Sequence, residues 1–471
     1  KKNARKFRGF EAPENCIKAV EGAVNLPFSE GLVRERELFN ELMSGEQAKA
    51  QQYFFFSERL ANKIPDVPKD TPLIDINTAG IVGAGTMGGG IAMNFLQAGI
   101  PVTIVETTQE ALEIGLGIIM SYYAATVSKG RLTQAAMDKN MSLLTGSTNL
   151  EDLKDVDIVI EAIFENMDVK KEVFGKLDKI CKQGAILATN TSTLDIDEIG
   201  EATSRPEYVI GLHFFSPANV MRLLEEVRTK KTSASVMATC MALAKRISKV
   251  PAMVGVCDGF VGNRMLAQRG EQASQLILEG AKLEDVDRVL FDFGFPMGPF
   301  AMSDLAGNDV GWRIRQGRGV TSPVADAICE LGRFGQKTGD GYYHYEKGSR
   351  TPQPDPIVEE IIVKAARDAG INRRQVSDEE ILKRCIYPMI NEAAKILEEG
   401  IATRASDIDV IWVYGYGWPI YRGGPMRYAD YIGLENIYND MLKFKAEHGD
   451  EWTPAPLLEK LAKEGKGFKD L

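Results

Sequence analysis

The sequence runs to 471 residues, 44% hydrophobic and 26% charged, with a formal net charge of −10. That length accommodates roughly three domains of about 150 residues each, and the composition is that of an ordinary globular protein. The negative balance argues against broad nucleic-acid binding, because a phosphate backbone would be repelled. No uninterrupted apolar run reaches the ~18–20 residues of a membrane span, and no signal-peptide pattern opens the chain. The first residue is Lys1 rather than Met, so the sequence reads as a fragment or a trimmed chain. Six cysteines (Cys16, Cys181, Cys240, Cys257, Cys329 and Cys385) form no CxxC pair, which fits a reduced compartment better than a disulfide framework. The three histidines, His213, His344 and His448, lie too far apart in sequence to predict a metal site.

Residues 1–68 predict a helical arm. Apolar residues recur there at helical spacing through Leu32, Leu38, Phe39 and Leu42, then Phe54, Phe55 and Leu60. Pro65, Pro68 and Pro72 mark a linker. Between residues 75 and 257, short β-branched runs at 76–82, 102–106, 156–161, 185–189 and 209–214 alternate with helix-length segments. This alternation predicts an α/β domain with a doubly wound parallel sheet. After Gly259 the strands cease, and helical patterns continue through two stretches, 258–350 and 351–471.

These two stretches carry a weak repeat. Arg264, Glu279-Gly280, Phe293-Gly294-Phe295-Pro296, Gly298-Pro299 and Asp304 recur as Arg384, Glu399-Gly400, Tyr416-Gly417-Trp418-Pro419, Gly424-Pro425 and Asp430. The expectation is a duplicated all-α domain whose copies pack as a pseudo-symmetric pair, so that one chain makes an interface usually made between subunits. A monomer follows from that expectation.

The sharpest local signal is Gly83-Ala84-Gly85-Thr86-Met87-Gly88, between a predicted strand and a predicted helix. The first glycine permits the tight turn, the second lets backbone approach a pyrophosphate, and the third lets helix and strand pack closely. The helix start offers unpaired N–H groups to an anion. Glu106 closes the next strand about 20 residues on, where a carboxylate accepts from adenosine ribose hydroxyls and repels a 2′-phosphate. Together they predict a Rossmann-type domain that prefers NAD to NADP.

His213 closes an apolar strand just before Pro217, at the strand end where ligands of wound sheets bind. Glu225 and Glu226 lie on the next strand-like segment, and alternation sends their side chains to opposite faces. Only one of them can orient the imidazole and stabilise its cationic form.

These residues sit within longer motifs in a fixed order. They are Gly83–Gly88, Glu161-Ala162-Ile163-Phe164-Glu165-Asn166, Asn190-Thr191-Ser192-Thr193-Leu194, His213-Phe214-Phe215-Ser216-Pro217, Asp258-Gly259-Phe260-Val261-Gly262-Asn263-Arg264 and Gly298-Pro299-Phe300. The set resembles the L-3-hydroxyacyl-CoA dehydrogenase family over about residues 75–345. The longer chain is similar to the C-terminal part of bifunctional enoyl-CoA hydratase/3-hydroxyacyl-CoA dehydrogenases of fatty-acid β-oxidation, in which the helical domain occurs twice. The opening segment resembles the helical end of their hydratase half, whose catalytic core is missing, so no hydratase activity is expected.

The resemblance implies oxidation of an L-3-hydroxyacyl-CoA to the ketone with NAD as acceptor. It implies His213 as base, Glu225 as its partner by the twelve-residue spacing, and Ser192 and Asn263 at the reacting oxygen and imidazole. It also implies Glu165, Lys170, Ser192, Ser216 and Lys337 near the cofactor, and Lys129, Ser192 and Asn263 near the acyl-CoA. Blander readings stand beside these. Ser192 could cap a helix starting near Leu194, Asn263 could merely open a helix, and Lys129 and Lys337 could be solvated surface lysines. Two other functions remain open: a catalytically silent NAD- or acyl-CoA-binding module, and a β-hydroxyacid dehydrogenase that does not use CoA. The C-terminal residues are not Ser-Lys-Leu, which favours a bacterial cytoplasm, or a peroxisome if that end is trimmed.

Overall fold

The computed structural model describes residue 4 and residues 6–471. The arm folds as three helices, α1 (Ala12–Asn25), α2 (Phe28–Ser44) and α3 (Glu46–Ala61). Pro27 divides the first two, because the residue before a proline is driven out of the helical region. The proline-marked linker that follows has no regular structure.

The wound domain then unrolls as β1 (Ala79–Val82), α4 (Thr86–Gln97), β2 (Val102–Val105), α5 (Gln109–Ser128), α6 (Gln134–Ser142), β3 (Leu144–Ser147) and β4 (Ile158–Glu161). It continues as α7 (Met167–Ile180), β5 (Ile186–Thr189), α8 (Ile196–Glu201), β6 (Val209–Phe214), β7 (Leu223–Arg228), α9 (Ala234–Arg246) and β8 (Val250–Gly255). The strand order is β3-β2-β1-β4-β5-β6-β7-β8. Every pairing is parallel except β6 with β7. The winding direction reverses between β1 and β4, and that is where a crevice opens beyond the strand ends.

Two strands had no signal in the sequence. β3 reads Leu-Thr-Gly-Ser and lies half-exposed at one edge, so burial imposes no apolar pattern on it. β8 contains Pro251, which a strand tolerates at the opposite edge because no ladder partner needs its N–H. Helix α5 also departs from expectation. It is long and apolar enough to cross a membrane by length and composition, although no uninterrupted apolar run marks it. Leu112, Ile119 and Tyr123 of this helix bury into the core of the wound domain, and Gly115 lets it approach Ala84, where a Cβ would lie 2.4 Å from the carbonyl.

Beyond β8 the chain is helical: α10 (Gly262–Glu279), α11 (Leu283–Phe293), α12 (Pro299–Ala306), α13 (Asn308–Arg318), α14 (Pro323–Glu330), α15 (Pro356–Asp368), α16 (Asp378–Glu398), α17 (Ala405–Gly415), α18 (Pro425–Ile432), α19 (Leu434–His448) and α20 (Pro456–Lys463). The repeat is visible in atomic detail where α10 packs on α16. Arg264 Nε donates to Glu392 Oε1 at 2.7 Å, and its guanidinium grips Glu399. Reciprocally, Arg384 Nε donates to Gln272 Oε1 at 3.0 Å, and its guanidinium grips Glu279. Each residue in the second set stands 120 positions from its counterpart in the first, which is the reciprocity of a two-fold interface.

A second correspondence involves buried aspartates. Asp287 accepts from the N–H groups of Phe300 and Ala301 at the start of α12 and from Tyr343 Oη at 2.9 Å. Asp409 does the same at the start of α18, accepting from Met426 and Arg427, but its tyrosine comes from the arm: Tyr53 Oη donates to it at 2.7 Å. Tyr414 also donates to Glu58 at 2.5 Å, and Phe54 packs against Val250 and Val410. Helix α3 of the arm is therefore stitched to the second helical body while also touching β8 of the wound domain.

Glu226 is the least comfortable group in the wound domain. It is 0% exposed, and neither of its side-chain oxygens has a hydrogen-bond partner. Burial pushes its carboxyl well above the ordinary value of 4.5. The folded chain therefore keeps a proton that the unfolded chain releases, and stability falls as pH rises above that ordinary value. Replacing Glu226 by leucine removes an unpaired buried polar group, with an expected gain of about 1–3 kcal/mol. Thermal melts should show the gain growing from roughly pH 5 to 8. An unchanged or lower melting temperature at the alkaline end would contradict it.

Candidate active site

β6 and β7 run antiparallel, and their register sets His213 directly opposite Glu225. The twelve-residue spacing is thus the connecting loop plus the strand residues that adjoin it on either side. His213 Nδ1 lies 2.9 Å from Glu225 Oε2, with both side chains buried. The other carboxylate oxygen accepts from the N–H groups of Val261 at 3.0 Å and Gly262 at 3.2 Å, where α10 begins. Glu225 is therefore held by three donors, two of them at the positive end of a helix. Phe260, at φ +48°, makes the tight turn that aims those N–H groups, a conformation uncommon for a non-glycine residue. The imidazole lies between Phe215 and Phe260, ring centroids 4.4 and 5.7 Å away. Nε2 remains for chemistry.

The loop after β5 forms the neighbouring wall. Asn190 Oδ1 accepts from the Phe214 N–H at 2.8 Å, which ties this loop to the strand bearing His213. Glu165 organises its crest, accepting from Thr191 Oγ1 at 2.6 Å, from the Ser192 N–H at 2.9 Å and from Ser192 Oγ at 3.3 Å. Burial alone would raise the Glu165 pKa, but Lys170 and these donors outweigh it and hold it below its ordinary value. Asn263 Nδ2 donates to the Ser192 carbonyl at 3.4 Å. Ser192 and Asn263 are thus brought together. Ser192 caps no helix, since Asp195 caps α8 by accepting from Asp197 and Glu198.

The glycine loop fits a dinucleotide. Gly83 has φ +101°, and a Cβ there would lie 2.7 Å from the Ala162 carbonyl. A Cβ on Gly88 would sit 1.9 Å from the Gly83 carbonyl, whereas Gly85 has open space beside it. No side chain caps α4, so the N–H groups of Thr86, Met87 and Gly88 face the crevice without intrahelical partners. Glu106 accepts from the Ala84 N–H at 2.9 Å and from the Thr107 N–H at 2.7 Å. Partial burial works to raise its pKa, and these hydrogen bonds prevail to lower it.

Other expected residues lie differently. Lys170 is not on the cleft surface: it is 1% exposed, with Nζ 2.7 Å from Glu161 and 3.4 Å from Glu165. Lys337 gives its amine to Asp309 within the helical region and sits beside the Phe334 ring. Lys129 is exposed just past α5, and Ser216 is exposed just past β6. Sequence reasoning missed Glu161, buried beneath the loop and bonded to Lys170, Thr189 and the Ile163 N–H. An acid closing an otherwise apolar strand was the available signal.

The family description "3-hydroxyacyl-CoA dehydrogenase, NAD binding domain" matches residues 78–257, and "3-hydroxyacyl-CoA dehydrogenase, C-terminal domain" matches twice, at 259–345 and 381–469. The chain belongs to the 3-hydroxyacyl-CoA dehydrogenase family. It is an NAD-dependent oxidoreductase of that type. A peroxisomal bifunctional enzyme of Cavia porcellus is 44% identical over 98% of this chain and 67% of its own length. A peroxisomal fatty acid beta-oxidation multifunctional protein of Arabidopsis thaliana is 37% identical over the same shares. Among solved structures, the dehydrogenase part of multifunctional enzyme 1 from C. elegans aligns with a TM-score of 0.65 and 32% identity, covering 88% of this chain and 99% of that one. These relatives give no support to the bacterial cytoplasm expected from the C-terminal residues.

Proposed function

We propose that this dehydrogenase oxidises the 3-hydroxyl of an L-3-hydroxyacyl-CoA in fatty-acid β-oxidation, with His213 as general base. The observation that carries this reading is the buried His213–Glu225 pair, at the same end of the sheet as the glycine loop, with β4 and β5 between them. Bound NAD supplies the hydride acceptor. His213 Nε2 takes the hydroxyl proton, and the Glu225 carboxylate balances the charge the imidazole gains. Ser192 and Asn263 hold the oxygen and the ring in line, and Glu165 keeps the Ser192 loop in shape beside the nicotinamide. The glycine loop, with Gly83, Gly85, Thr86, Met87 and Gly88, binds the pyrophosphate, and Glu106 binds the ribose. We place the acyl-CoA in the cleft between the wound domain and the first helical domain, with Lys129 at its polar end and Ser216 and Lys337 near the cofactor.

The domain boundaries at 68, 75–257, 258–350 and 351–471 follow the same reading. So does a monomer, since the reciprocal Arg264 and Arg384 contacts supply within one chain what a dimer interface would. The similar peroxisomal proteins favour a peroxisome as its compartment.

NADH consumption with acetoacetyl-CoA, compared with free acetoacetate, tests the reaction. Turnover of the CoA ester alone supports it, and equal turnover of the free acid would point to a β-hydroxyacid dehydrogenase. The same assay tests Glu106. At ~4 Å and an effective dielectric of ~20, two unit charges repel by roughly 4 kcal/mol. Glu106→Gln removes that repulsion from a 2′-phosphate, so NADPH use relative to NADH should rise by about tenfold or more. An unchanged ratio would take cofactor selection away from this residue.

A further inference from the structure

We propose that Tyr416, contributed by the second copy of the helical domain, is a positioning residue for the active site, fixing the Asn263 side-chain amide through its hydroxyl. Tyr416 Oη donates to Asn263 Oδ1 at 2.8 Å. The Ser192 carbonyl can only accept, which turns Nδ2 toward it and leaves Oδ1 to the Tyr416 hydroxyl. The same ring meets Phe215 edge-on at 5.4 Å and stacks on Trp412 at 4.7 Å. Phe215 in turn lies against His213. A continuous aromatic path thus runs from α17 to the imidazole. Gly262 admits it, since a Cβ there would lie 2.3 Å from the Tyr416 ring.

The duplication itself argues that this contact is more than packing. The pseudo-symmetric counterpart of Tyr416 is Phe293, aligned through Phe293-Gly294-Phe295-Pro296 and Tyr416-Gly417-Trp418-Pro419. The counterpart of Asn263 is Lys383, whose amine is committed to Glu379 at 2.7 Å and Asp440 at 2.9 Å. The counterpart of Gly262 is Leu382. Only on the side facing His213 does the pair become a hydroxyl, an amide and a glycine that makes room for them. Burial, with repulsion from Glu225, pushes the phenol well above its ordinary value, so it stays a donor throughout the working pH range.

This inference rests on the role assigned to Asn263, and the test separates the two. In Tyr416→Phe the ring and its stacking remain while the hydroxyl is lost. The expected result is a kcat for acetoacetyl-CoA lowered about tenfold, the scale of one hydrogen bond, with NADH affinity and melting temperature unchanged. In an Asn263→Ala background the same substitution should have no further effect on kcat, because the group it acts through is gone. Wild-type kcat in Tyr416→Phe, with Asn263→Ala impaired, overturns the proposal and leaves Asn263 in place. Wild-type kcat in Asn263→Ala overturns both. If Tyr416→Phe is also less stable, the double variant decides. Loss of its effect on kcat in that background supports positioning, and a persisting effect overturns it.

Discussion

Replacing His213 by glutamine should lower turnover of acetoacetyl-CoA by about 10²–10⁴-fold, the range that a positioned general base supplies. NADH binding should survive, because the glycine loop and Glu106 lie just past β1 and β2 while His213 lies on β6. The fold should survive as well, since glutamine can still donate to Glu225. Glu225→Gln makes the complementary test. It keeps the shape of the side chain but removes the charge that balances the imidazolium, and with its oxygen on the Val261 and Gly262 N–H groups its NH2 faces His213 Nδ1. Its turnover should fall within the same range, and steady-state rates with a cofactor-binding titration would check both variants. Near-normal turnover in His213→Gln would sink the mechanism.

The largest effect on stability is expected at Arg384. Its side chain is 1% exposed and forms a fork on Glu279, at 2.6 and 2.8 Å. Arg384→Met leaves that carboxylate short of its main partner, and breaking a buried pair by removing one side costs about 3–5 kcal/mol. Arg374 still reaches Glu279, which places the expectation at the low end of that range. Arg264, the counterpart, is 18% exposed, so the same substitution there should cost less. Burial works to raise the Glu279 pKa, but the guanidinium of Arg384 prevails and holds it below its ordinary value. The contribution is therefore present above that value and is lost as pH falls through the lowered one. Thermal melts of both variants at neutral and acid pH would reveal the order, and equal costs would refute the asymmetry.

Much of the wound domain was legible because its signals are local. The glycine turn, the acid closing β2 and the histidine closing β6 each lie within a few residues of the element that gives them meaning. His213 and Glu225 also count as local, since one hairpin-like connection joins their strands. Legibility failed where a role depends on a partner far along the chain. Asn263 and Tyr416 are 153 residues apart, and nothing around either one names the other. The resemblance placed Lys170 near the cofactor, but that its amine is buried against Glu161 and Glu165 could not be read from the sequence. The edge strand β3 escaped for the opposite reason, since exposure removes the apolar pattern that would have betrayed it, while the buried β8 was masked by Pro251, a residue that ordinarily argues against a strand. The duplication was readable as motifs, but the crossed grip of Arg264 and Arg384 needed coordinates.

The stitching of the arm to the second helical body sets a schedule for making the protein. Tyr53 precedes Asp409 by 356 residues, and Glu58 precedes Tyr414 by the same interval. A ribosome adding about 5–20 residues per second takes roughly 20–70 s to cross that gap. Throughout that time Phe54 and its neighbours are outside the tunnel with their cover not yet synthesised. The hazard of sticking to other chains therefore opens once the arm has emerged and closes only when the second helical body follows it, so the cell must shelter these helices in the interval.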